Sequence, residues 1–176
     1  MGGERNVPVM PSLEPPDSHH VNAAMGWLEL GNRAEAQAEL EQVSPANHRH
    51  PDVLEARWAL LAQEKQWEAA LDVATKLLLR APERPTGWLH RAYSLRRTPE
   101  GGLAKAWDAL LPAAEKFPGE PTVFYNLSCY ACQLQQLDTA RQWFKKALKA
   151  GGREYIKRMA LADNDLKPLW EEIREM

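Results

Sequence analysis

A recurrence of about 34 residues constrains this chain more than any other feature. Ala36, Ala70, Ala106 and Ala140 stand in similar settings (AEAQAEL, EAALDVA, AKAWDAL, DTARQWF) at intervals of 34, 36 and 34. Four positions after each comes Leu40, Ala74, Leu110 or Phe144. A second series, His20, Leu54, Trp88 and Phe124, precedes the alanines, and prolines recur at 51, 85 and 121 and again at 82 and 118. About 34 residues is the length of two antiparallel helices with their turns, and one such hairpin cannot bury its apolar face alone. The chain is therefore expected to stack hairpins side by side.

Between the landmarks the apolar residues follow helical spacing, and strand-like alternation is absent from Asp17 onward. Residues 1–16, with Pro8, Pro11, Pro15 and Pro16 and few large apolar groups, predict a flexible leader. Two residues beyond the period are placed in the turn Thr98-Pro99-Glu100-Gly101-Gly102, where turn formers concentrate. Pro112 falls within a helical stretch, where it removes the amide that would bond Asp108, and predicts a bend.

In these landmarks the chain resembles the tetratricopeptide repeat proteins, whose pattern runs Trp-x2-Leu-Gly-x2-Tyr, then Ala-x3-Phe, then Pro. The last copy matches through Phe124, Leu127, Ser128, Ala131, Ala140, Phe144 and Ala147, and the first, with His20, Ala24, Trp27, Gly31, Ala36 and Leu40, is the most worn. The resemblance implies an all-α, right-handed solenoid of four helix-turn-helix repeats (17–50, 51–84, 85–120, 121–152). Residues 153–176 resemble the end-of-array segment of bacterial members: a short helix over 155–161, a cap at Asp163 or Asp165, and an apolar face of Leu166, Leu169, Trp170 and Ile173. Such a face closes a stack that has nothing beyond it.

In that family the first helix of each hairpin lines a concave wall that takes peptides. Carried over by position, the wall of repeats three and four includes His90, Tyr93, Arg96, Arg97, Tyr125, Asn126, Cys129 and Gln133. Tyrosines offer rigid apolar area at low entropic cost, amides bond a peptide backbone, and an arginine pairs with a carboxylate. The alternative is that the tyrosines fill the inter-repeat core and the arginines are solvated. The family's five-residue clamp for chaperone carboxy-termini is not reproduced. Its positions fall on Val21, Met25, Ala56, Thr86 and His90 in one frame, and on Glu55, Ala59, His90, Thr122 and Asn126 in the other. Neither set supplies the cations.

Cys129 and Cys132, the only cysteines, have C-x-x-C spacing but lie in the middle of a predicted helix. A redox pair needs its first thiol at a helix amino terminus, and structural zinc needs four ligands, so these read as scaffold. No glycine-rich phosphate loop or nucleophile elbow occurs. His19-His20 and His48-Arg49-His50 read as surface histidines, and the seven tryptophans as core packing. The net charge of −2 gives no sign of a nucleic-acid partner. Charge is unevenly spread, with 7 Lys and Arg against 11 Asp and Glu over 17–84, and 12 against 6 over 85–160. Without a signal-peptide core or a membrane-length apolar run, the expected location is the cytoplasm, away from membranes.

The expected function is a non-enzymatic scaffold, without cofactor or metal, that binds a peptide or protein segment in the groove. A self-associating module forming homo-oligomers is the alternative. A thiol- or metal-dependent enzyme is the least favoured.

Overall fold

The computed structural model describes residues 12–176; most of the expected leader, residues 1–11, lies outside them. Ten α-helices follow one another, and no strand occurs among the described residues. They are α1 (Asp17–Glu29), α2 (Arg33–Gln42), α3 (Pro51–Gln63), α4 (Trp67–Arg80), α5 (Pro85–Leu95), α6 (Leu103–Lys116), α7 (Pro121–Gln133), α8 (Leu137–Gly151), α9 (Arg153–Ala162) and α10 (Trp170–Glu175). A 3-10 turn over Pro45–Asn47 precedes α3, and another over Asn164–Leu169 joins α9 to α10.

The recurrent prolines explain where the helices begin. Pro51, Pro85 and Pro121 each occupy the first turn of α3, α5 and α7, where a missing amide costs nothing and φ is already helical. Within the first pair Gly31 turns the chain at φ 76, and Asn32 caps α2 by accepting the Glu35 amide. In the third pair α5 ends early and residues 96–102 form the longest intra-pair turn. α6 runs through Pro112 without a break. Pro112 and Asp108 are both exposed, so water can satisfy the carbonyl that the ring leaves unbonded.

The alanine series is the seam of each hairpin. Ala36, Ala70, Ala106 and Ala140 are all fully buried, and so small a residue lets the paired backbones approach closely. First helices of consecutive pairs also pack on one another, α1 on α3, α3 on α5 and α5 on α7, whereas second helices of consecutive pairs do so far less. A stack with one row closer than the other curves toward the closer row. The inner wall is therefore made by α1, α3, α5 and α7.

At the amino-terminal end, the Asp17 carboxylate accepts the Ser44 amide (3.0 Å), the Asn47 side-chain amide (2.7 Å) and the Ser44 hydroxyl. These bonds, the hydroxyl first, hold its pKa down at about 2 and tie α1 to the turn before α3. At the other end Leu166, Leu169 and Ile173 are buried in the largest core cluster, shared with α6, α7 and α8. The Trp170 indole donates to the Ala160 carbonyl (2.8 Å), and Arg141 grips both oxygens of Glu172 (2.7 Å each). The tail is thus packed against the stack, and its path decides what becomes of the wall.

Candidate functional site

Helical spacing brings His90 and Tyr93 together on α5, with Arg96 and Arg97 in the turn that ends it, and Tyr125, Asn126, Cys129 and Gln133 along α7. The structure divides these eight into two groups with different surroundings.

The first group faces the chain's own tail. Arg96 makes two bonds to the Asp165 carboxylate, Nη2 to Oδ1 at 2.9 Å and Nη1 to Oδ2. The Tyr125 hydroxyl donates to Asp163 Oδ2 (2.9 Å), Gln133 Nε2 donates to the Asp165 carbonyl (2.9 Å), and Cys129 Sγ lies 3.6 Å from Asp163 Oδ2. Asp163 also accepts the Asp165 amide (2.9 Å), capping the 3-10 turn and aiming both carboxylates at α5 and α7. Tyr125 and Cys129 are consequently buried. The sequence marks Asp163 and Asp165 as helix caps only; nothing local signals that a cap also reaches another helix.

Burial pushes the Cys129 thiol well above its ordinary pKa, and the Asp163 and Asp165 carboxylates push it the same way. Burial also raises Cys132 and the Tyr125 hydroxyl. Both cysteines are free, buried thiols held in the protonated form, the opposite of what a nucleophile or metal ligand needs. Among the described residues no group of three or more His, Cys, Asp or Glu side chains is placed to hold a metal ion.

The second group keeps clear of the tail and is only partly covered. His90 stacks on Trp58 with ring centroids 3.6 Å apart and planes 5° from parallel. Tyr93 meets Trp58 edge-on at 5.9 Å and Trp67 at 5.9 Å, and the Arg97 guanidinium lies over the Tyr93 ring at 3.5 Å and the Trp67 ring at 5.1 Å. The Trp58 indole donates to Ser94 Oγ (2.9 Å), which fixes the plane of the stack. Tyr93 remains 37% exposed and Arg97 is half-buried, with one donor given to the Tyr93 carbonyl (2.9 Å) and no carboxylate partner among the described residues. Burial lowers the His90 pKa to about 4, so its ring is neutral near pH 7. Asn126 spends its amide hydrogen on Thr122 of its own helix (2.9 Å), and its carbonyl oxygen has no partner among the described residues. Trp58 and Trp67 belong to this patch, although the sequence pattern places them in the core.

This helical stack superposes on solved solenoids over most of its length. TTC0263, a thermophilic TPR protein of Thermus thermophilus, superposes with a TM-score of 0.68 at 16% identity, covering 90% of this chain and 95% of that one. The chain has the tetratricopeptide-repeat fold. MamA from Desulfovibrio magneticus RS-1 gives 0.64 at 17% identity over 93% of this chain and 96% of the other. A MamA RS-1 double mutant gives 0.63 at 18% over 86% and 80%. At these identities the likeness concerns the fold alone. Neither a family model nor a curated protein matches the sequence.

Proposed function

We propose that this chain is a non-enzymatic interaction scaffold that receives a peptide or protein segment on its inner wall, around α5, the turn that follows it and the adjoining parts of α3 and α7. The observation that carries this reading is the partly exposed cation–aromatic patch: Arg97 over Tyr93 and Trp67, beside the Trp58–His90 stack. Aromatic rings and arginine dominate binding hot spots because they supply rigid contact area and directed donors with little entropy to lose. Arg97 offers its remaining N–H groups to a carboxylate or a backbone carbonyl, neutral His90 and Asn126 offer polar edges, and Tyr93 supplies apolar area. Arg96, Tyr125, Cys129 and Gln133 serve the site indirectly, by holding segment 163–166 as the rim at which the groove ends.

Among the described residues no helix is long and apolar enough to cross a membrane, and we place the scaffold in the cytoplasm. The test is affinity capture with mass spectrometry, comparing the natural chain with a Tyr93→Ala/Arg97→Glu variant. Partners retained by the first and lost by the second support the groove. An unchanged partner set refutes it.

A further inference from the structure

A cleft of about 370 Å³ opens between α3, α4 and the turn before α3, away from the groove patch. Its floor is apolar, Leu54 and Val73, and Leu79, 77% exposed, stands on its rim. Its walls are cationic: Arg49, Arg57, Lys76 and Arg80 all line it, and no carboxylate does. The surroundings make this unexpected, because residues 17–84 hold 11 Asp and Glu but only 7 Lys and Arg. Four of those seven cations meet in one cleft.

Arg49, Arg57 and Arg80 form no ion pair or hydrogen bond among the described residues. Lys76 is paired with Asp72 (2.5 Å) on the same exposed helix face, a contact of little net worth that a stronger anion can replace. Glu41, which lines the adjoining cleft together with Arg57, already accepts from Gln37 (2.7 Å). Like charges gathered without counter-charge repel one another, so the arrangement is stabilised when an anion enters.

The solenoid supplies its own control. The same cleft recurs in the fourth pair, where Phe124, Lys146, Lys149, Pro118 and Gly119 stand where Leu54, Lys76, Leu79, His48 and Arg49 stand here. There Ala150 replaces Arg80, Gly119 replaces Arg49, and buried Leu127 takes the place of Arg57. Hairpin stacking therefore accounts for the cavity in both places but not for the arginines. We infer that the cleft walled by Arg49, Arg57, Lys76 and Arg80 is a binding site for a phosphomonoester carried on an apolar group. A single carboxylate would leave most of this charge unmatched. A phosphate brings nearly two charges and three acceptor oxygens that guanidinium forks can share, while Leu54, Val73 and Leu79 receive its carrier.

The test is amide-resonance titration of the full chain with phenyl phosphate, a phosphoserine peptide, inorganic phosphate and sulfate. Phenyl phosphate is expected to give saturable shifts at residues 49, 57, 76 and 80. An Arg49→Ala/Arg80→Ala variant should bind it about tenfold more weakly or worse while melting at the same temperature, since neither side chain has a partner to lose among the described residues. A Lys146→Ala/Lys149→Ala variant should bind it normally. Tighter binding of the peptide identifies a phosphorylated protein as the source, and tighter binding of phenyl phosphate a small phosphoester; either supports the site. Equal shifts from sulfate and phenyl phosphate, or shifts that persist in the arginine variant, overturn it.

Discussion

Replacing Asp165 with Asn keeps the size of the side chain and removes the charge that Arg96 grips. The Arg96 and Asp165 side chains are only 20% and 26% exposed, so the pair is mostly screened from water. A hydrogen bond to a charged group contributes about 1.5–3 kcal/mol, and breaking a fully buried pair costs about 3–5 kcal/mol because one charge is left uncompensated. Here the residual solvent access and the Tyr130 ring, 5.6 Å from the guanidinium, soften that loss. We expect Asp165→Asn to cost about 2 kcal/mol, or roughly 4–8 °C in melting temperature for a domain of this size. The assay is urea unfolding followed by helical circular dichroism, extended to a double-mutant cycle with Arg96→Gln. The cycle should return a coupling of about 1–2 kcal/mol, since the two residues share one interaction. Hydrogen exchange should quicken over 164–175 and stay unchanged in α1 to α4. A stability loss below about 0.5 kcal/mol, or strictly additive single effects, would refute the claim that this pair fastens the tail to the inner wall.

Three further outcomes follow from the same structure. His90 should titrate near pH 4 by ring resonances, against 6.5 for an ordinary histidine, because burial disfavours its charged form. Its folded pKa is depressed, so its contribution to stability is intact above about pH 6.5 and declines as the pH falls toward 4; a midpoint near 6.5 would show the Trp58 stack to be open. Gly87→Ala should destabilise by about 1–3 kcal/mol in thermal melts, because the new Cβ would lie 2.9 Å from the Leu78 Cα, a backbone atom that cannot step aside. Gly26→Ala in α1 meets nothing within 4 Å and should be neutral or stabilising by up to about 1 kcal/mol, so equal effects at the two positions would contradict the packing of α5 on α4.

Much of the architecture was legible because it is written locally. Recurrent prolines, turn formers between helices and an alanine series each act within a few residues or within one hairpin, and the stack multiplies them. Leu166, Leu169 and Ile173 were readable as a capping face for the same reason: their spacing alone puts them on one side. The site was legible only as a list of neighbours on one wall. That list did not reveal that Arg96 and Tyr125 meet residues 69 and 38 positions away, or that Trp58 and Trp67 leave the core to join Tyr93.

The sequence by itself determined the helices and their pairing, because a repeated apolar pattern leaves stacking as the way to hide it. Only the tertiary structure decided which part of the inner wall stays open and where the arginines of α3, α4 and the preceding turn converge. Those outcomes depend on how small rotations accumulate along the stack and on where the tail returns, and neither is encoded in any single window of residues.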